Sequence, residues 1–311
     1  MQKSAKRRRV IPAAGIAGAV SVACVVFAFV LCTRAQVVNH GKVKIALVDA
    51  KGDEIKSSTS GKLELDRKYQ KGDRIEITWA EDIVVKIDEH VAETIVFAPQ
   101  KHVPDRPKVI FPIPLWQTGH HPEILPYNPK AFVGKKHVIT ARAAKAKEVA
   151  AYRNVALNPI DPRGTSTFFP HASSNSEWGD AAIYAARNAI DGCVQAEGDH
   201  HDWPRQSWGP YLPEDHPKPE LLVEFGREAE IDKIAVVVRF NENQYNHWKE
   251  ATVEFSDGSK EKIKIKYNGK RQEFKIKKRT VTSMRFKTLV SETEGGYAAF
   301  VEVEAWGKVT Q

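Results

Sequence analysis

The sequence predicts an all-β protein behind an N-terminal transmembrane helix: a small β-sandwich-like domain, then a β-sandwich jelly roll. Three observations predict it. Val, Ile, Thr and aromatic residues recur in short runs, and many of these runs alternate apolar and polar residues around tight Gly-Asp turns. One long uncharged apolar run precedes them all.

That run extends from Val10 to Thr33 and contains no charged residue. About 20 helical residues cross a bilayer core, so it is long enough to span one. Lys6, Arg7, Arg8 and Arg9 precede it, and only Arg34 follows closely. The excess of positive charge assigns residues 1–9 to a cytoplasmic tail and sends the chain after Gln36 to the outside. A cleaved signal peptide ending near Ala35 is the competing reading, although its apolar stretch would be unusually long. A lipoprotein at Cys24 is weaker, because the apolar run continues past that cysteine. All three readings put the folded part outside the cytoplasm.

Residues 37–144 form the first predicted domain. GKVKIALVDAKGDEI reads as a strand, a turn at Lys51-Gly52-Asp53 and a return strand. KLEL and then RIEITWAEDIVVKI continue the pattern, with Ile75, Ile77 and Trp79 on one face. The proline-interrupted stretch from Pro99 to Pro129 predicts an irregular loop, and VGKKHVITARAA closes the domain as a strand. AKAKEVAAY, rich in Ala and Lys, reads as a connector.

Residues 152–308 form the second. Its strand candidates are NVALNP, ELLVEFG, EIDKIAVVVRF, EATVEFSDG, EKIKIKY, RQEFKIK, TSMRFKTL and FVEVEAWG. Short strands at such spacing, separated by turn residues, predict a sandwich or jelly roll. Outside the apolar run only Cys193 remains of the three cysteines, so no intradomain disulfide or Cys-based zinc site supports the fold.

Several segments of this half carry a resemblance. Asn154-Val155-Ala156, His171-Ala172-Ser173-Ser174, the ARNAIDG segment ending at Gly192, Trp208, LLVEFGREAEIDKIAVV, VEFSDGS and the closing FVEVEAWG follow one another in a particular order. In that order they resemble the discoidin, or coagulation-factor type C, superfamily of galactose-binding-like domains, which includes many carbohydrate-binding modules. The resemblance covers about half the chain. It implies a binding module whose ligand loops gather at the sandwich end. It also implies a structural calcium ion, held by the Asp-Gly segment and a last-strand glutamate; Asp191 and Glu302 match those positions. A turn aspartate and a surface glutamate without metal explain the two residues equally well.

Two loops have the composition of a sugar site. A sugar offers apolar C–H faces to aromatic rings, and hydroxyl edges to paired polar groups. Trp203, Arg205 and Trp208 lie in a loop rich in His, Trp and Pro; Arg239 precedes a second loop with Asn243, Tyr245, His247 and Trp248. His171, Trp178 and Tyr297 are weaker candidates. Trp208 and Trp248 also suit a sandwich core. His200 and His201, adjacent in sequence, converge poorly on a single zinc ion.

The chain carries a formal net charge of +8, with a concentration of Lys and Arg between Lys260 and Lys287. Ile263 and Ile265 alternate with those lysines, so a solvated strand face accounts for the pattern, and attraction to anionic wall polymers or phospholipid headgroups is its functional reading. No motif favours nucleic acid. No GxSxG elbow, phosphate-binding Gly-rich loop or HExxH is present. Paired carboxylates for glycoside hydrolysis have no spacing signature in a sequence, and Asp199, Asp202, Glu214 and Asp215 are the suspects. The expectation is therefore an extracytoplasmic carbohydrate-binding protein rather than an enzyme, with a protein-interaction or envelope-structural module as the alternative.

Overall fold

A computed structural model describes residues 43–98, 108–114, 130–178, 184–194, 207–210, 218–240, 246–293 and 298–310. It is nearly all antiparallel sheet. The apolar run from Val10 to Thr33 lies outside the described residues, among which no helix is long and apolar enough to cross a membrane.

The N-terminal lobe is a sandwich of two four-stranded sheets. One sheet runs β2 (Glu54–Ser58), β1 (Lys44–Val48), β4 (Arg74–Thr78), β7 (Lys108–Pro112), and the other β3 (Lys62–Asp66), β8 (Lys136–Ala143), β5 (Ile83–Lys86), β6 (Thr94–Val96). Alternation decides which side chains meet: Ile45, Leu47, Ile75 and Ile77 from the first sheet face Leu63, Val85 and Ile139 from the second, with Trp79 among them. Strand β7 falls inside the stretch read as an irregular loop. It is an edge strand, and Pro112 at its end is exposed. Edges are where a sheet tolerates a residue that cannot donate to the ladder.

The connector forms a single helical turn, α1 (Ala146–Val149). Glu148 accepts the Lys145 backbone N–H at 2.9 Å and both guanidinium N–H groups of Arg142 at 2.8 and 2.9 Å.

The C-terminal lobe carries a sheet in the order β13 (Lys260–Lys264), β12 (Trp248–Phe255), β14 (Gln272–Ser291), β11 (Leu221–Val238), β15 (Phe300–Val309), β9 (Arg153–Asn154), with β10 (His171–Ser174) paired to β11. This is an all-β jelly-roll architecture. The sequence splits β11 and β14 into two strands each, whereas both run unbroken and change register between Glu224 and Ala229 and between Ile231 and Lys233. The break read as a turn is a bend at Gly226, whose φ is +74°. A Cβ there would lie 2.2 Å from that of Phe169. The His171–Ser174 segment is strand β10, in register with Leu221 to Glu224.

The lobes exchange core residues. Val84, Ile95 and Phe97 belong to the C-terminal core, and Ile160 and Phe168 to the N-terminal one. Phe97 and Phe169 exchange backbone hydrogen bonds of 2.8 and 3.2 Å. Arg227 donates to the Asp82 carboxylate at 2.8 Å and to the Ala98 carbonyl at 3.0 Å.

Candidate functional site

Hydrogen bonds gather several strand ends at one end of the jelly roll. Trp208 and Phe300 exchange backbone bonds, Arg239 donates to the Ala299 carbonyl at 3.0 Å, and Glu292 donates to the His247 carbonyl at 3.0 Å. The last residues of β11 and β14 thus stand beside the first residues of β12 and β15. Trp178 donates through its backbone to Gly209 at 2.7 Å, and Gly209 to Tyr184 at 3.3 Å. A shallow depression of about 10 Å³ lies here, lined by Trp178, Tyr184, Gly209, Pro210, Arg239 and Ala298–Ala299.

Of the predicted ligand residues, Trp203, Arg205, Asn243 and Tyr245 lie outside the described residues, as does Tyr297. Arg239 is buried at the depression. Trp208 is 0% exposed and Trp248 2%, and both rings pack on Phe300 at centroid distances of 6.2 and 6.4 Å. The Trp208 indole N–H donates to the Ser176 carbonyl at 3.0 Å. Neither ring offers a sugar an open face; both close the core. His247 is buried and stacks on Tyr267 at 4.9 Å. His171 is buried too, its Nδ1 2.8 Å from Asp161. The half-buried rings at the depression are Trp178 and Tyr184, in edge contact at 6.5 Å and 66°. Sequence reasoning missed Tyr184 because AAIYAA surrounds it with alanine and lacks the polar interleaving of a sugar loop.

Asp191 and Glu302, 111 residues apart, do come together. The turn after the 3-10 segment Ala186–Ile190 brings Asp191 in from one side, and β15 presents Glu302 from the sheet. Gly192 donates its backbone N–H to Glu302 Oε2 at 3.1 Å, and Cys193 donates to Asp191 Oδ1 at 2.8 Å. Gly192 has φ +82°, and a Cβ on it would meet Leu157 at 2.9 Å. Burial pushes the Asp191 carboxyl up to about 7. Burial, and then the neighbouring Asp191, hold Glu302 well above the ordinary carboxylate range.

The remaining oxygens, Asp191 Oδ2 and Glu302 Oε1, are buried with no hydrogen-bond partner among the described residues. Hard oxygen donors that repel one another are what a calcium ion relieves, so the pair fits that cation. Calcium takes 6–8 oxygens, and no cluster of three His, Cys, Asp or Glu side chains occurs among the described residues; the rest of a shell would come from carbonyls and water.

The basic strands place Ile263 and Ile265 in the core, as their alternation predicts. Their lysines are partly neutralised: Lys262 pairs with Glu250 at 2.6 Å, and Lys260 and Lys287 with Glu254 at 3.0 and 2.6 Å.

No family model matches the chain, and no curated protein matches it. Solved structures do. A family 32 carbohydrate-binding module of C. perfringens NanJ, in complex with galactose, is 17% identical over 43% of this chain and 91% of its own, with a TM-score of 0.34. The lectin-binding domain of lectinolysin, a His mutant complexed with Lewis b, is 19% identical over 50% and 97%, with a TM-score of 0.36. A Streptococcus pneumoniae fucose-binding module is 16% identical over 49% and 96%, with a TM-score of 0.33. Each similarity spans about half of this chain and nearly all of the other.

Proposed function

We propose that the C-terminal jelly roll binds carbohydrate at the loop end marked by Trp178, Tyr184 and Arg239. One observation carries the reading: two half-buried aromatic rings, Trp178 and Tyr184, meet at a depression where the strand ends converge. Half-exposed rings are what covers the apolar face of a sugar. The neighbouring segment with Trp203 and Arg205 adds the same chemistry by composition. In this reading Asp191 and Glu302 hold a structural calcium ion that fixes the Asp-Gly turn, and residues 10–33 anchor the protein with its lobes outside the cytoplasm. Binding, not catalysis, is the role.

A glycan-array screen of the full chain tests it, with Trp178→Ala and Trp203→Ala alongside and with EDTA as a further arm. Selective binding that both variants lose supports the loop-end site. A folded wild-type sample that binds no glycan refutes the reading and turns the search to a protein partner. Calcium should raise the thermal midpoint of the wild type and leave Asp191→Asn unmoved; equal shifts in both would remove the metal from the proposal.

A further inference from the structure

The basic hairpin of the C-terminal lobe plays no part in the loop-end site. Between Lys262 and Arg279 the chain carries nine Lys or Arg residues and one acid, Glu273. One arm is β13 with its continuation to Lys266, and the other is the first half of β14. Gln272 ties them at the tip, accepting the Lys266 N–H at 2.7 Å and donating to the Lys266 carbonyl at 2.8 Å. Arg279 ties them at the base, through Ser259 and Glu261. Ile263 and Ile265 of one arm and Phe274 and Ile276 of the other pack on the same core. Alternation therefore turns Lys264, Lys266, Lys275 and Lys277 to solvent, and all four are exposed.

Ion pairs divide these cations into two groups. Glu250 holds Lys262 at 2.6 Å, Glu230 holds Lys278 at 3.1 Å, Glu261 holds Arg279, and Glu273 and Glu304 hold Arg271. Glu273 also takes Lys233, which faces Lys275 across the ladder. The charge of Lys264 reaches Glu250 too, but that acid is already bound to Lys262. Lys264, Lys266, Lys270, Lys275 and Lys277 are left with no bonded acid among the described residues. Every free cation of the hairpin is thus a lysine. Successive lysines on one arm stand about 6.6–6.8 Å apart.

We propose that this hairpin binds a linear polyol-phosphate polymer, one phosphodiester to each free lysine. An ammonium acts on a phosphate as a point charge, and the guanidinium forks that would grip a carboxylate are already taken. The surface offers nothing to nucleobases or lipid tails. Tyr267, the aromatic residue of the tip, is half-buried and packed against Phe240 and His247 at 4.8 and 4.9 Å. No large apolar side chain is exposed between Lys262 and Arg279. Single-stranded nucleic acid needs open rings to stack on, and a membrane surface needs apolar side chains to bury.

Binding of the full chain to poly(glycerol phosphate), measured at stepped salt, tests this. Five phosphates held on a flexible chain should give a slope of about −3 to −4 in log K against log salt. Lys264→Gln, Lys266→Gln, Lys275→Gln and Lys277→Gln combined should weaken binding at least about tenfold and remove most of that slope. Lys262→Gln with Lys278→Gln, which strikes lysines already paired, should cost far less, and Trp178→Ala should cost nothing. The proposal is overturned by a folded wild type that binds no polymer at low salt, by undiminished binding in the four-lysine variant, or by an equal loss in the paired-lysine variant. Tighter binding to alginate, to oligo(dT) or to vesicles of phosphatidylglycerol and phosphatidylcholine in equal parts would also overturn it. A chain that binds neutral glycans but not the polymer sinks this inference and leaves the loop-end reading intact.

Discussion

Phe97 is the residue through which the lobes hold each other, so Phe97→Ala tests whether they unfold as one. The ring is 0% exposed and sits in the C-terminal core, although Phe97 follows a strand of the N-terminal lobe. Truncating a buried phenylalanine costs about 3–5 kcal/mol, since the vacated volume refills only in part. Arg153 and Arg227 also lie over its faces, at 5.5 and 5.1 Å from the centroid, and each such contact is worth at least about 0.5–1 kcal/mol. Its backbone bonds to Phe169 survive the substitution. The expected loss is at least about 4 kcal/mol, a large fraction of the 5–15 kcal/mol that domains possess.

Urea unfolding followed by tryptophan fluorescence and far-ultraviolet circular dichroism reads this loss. Trp79 reports the N-terminal core, and Trp208 and Trp248 the C-terminal one. Both probes should trace one coincident transition in wild type and variant, displaced to lower urea with an unchanged slope. Phe97→Leu should restore most of the stability. Two separate wild-type transitions, of which only one moves, would refute the reasoning, as would a loss below about 1 kcal/mol.

Trp248→Ala should cost about 3–5 kcal/mol in denaturant melts because its ring is core, whereas Trp178→Ala should stay within about 1 kcal/mol and lose glycan binding instead. Gly226→Ala should destabilise by at least about 2 kcal/mol, measured as a midpoint shift, because φ +74° and the 2.2 Å approach to Phe169 both oppose a Cβ. Asp161 has its carboxyl raised to about 6 by burial, against the His171 ring that draws it down, and His171 is itself raised by the Asp161 hydrogen bond. The folded chain therefore holds protons that the unfolded chain releases near pH 4, so stability present below pH 4 declines up to pH 6, by about 3 kcal/mol for Asp161. Against Asp161→Asn, the wild type should lose ground across that window in melts at stepped pH; a constant or rising difference would overturn the assignment.

Much of the sheet was legible because a two-residue period is a direct geometric statement. Ile75, Ile77 and Trp79 were read onto one face and are each 0% exposed, and Gly52 and Gly72 hold the positive φ that their Gly-Asp turns imply. Strand β7 was hidden by its prolines, which an edge position tolerates. The sequence cuts β11 in two because Gly226 has the composition of a turn, and β14 at the polar stretch from Lys277 to Thr280, while the ladder continues past both. Trp208 and Trp248 illustrate a different limit. An indole closing a core and an indole platform for a sugar are the same residue in a sequence, and only the Phe300 ring packed against both separates them.

The boundary between residues 144 and 152 shows why some organisation cannot be read locally. AKAKEVAAY has the composition of a linker, and its own turn is exposed or half-buried throughout. Independence, however, depends on what crosses a boundary, and those contacts are remote in sequence. Thr94 donates its hydroxyl to the Leu157 carbonyl across 63 residues, and Arg227 reaches Asp82 across 145. Each is a polar group with an ordinary sequence context. The same remoteness conceals Arg153, which follows the connector directly and in sequence is one arginine among many. Its meaning comes from the apolar edge of β5 and β6 laid against it, which removes water from two N–H groups without supplying an acceptor. A buried group left unsatisfied by its own fold costs about 1–3 kcal/mol or more when charged. Retaining that cost at the wall of a cavity is a property of the assembled lobes, and no local window of the sequence contains it.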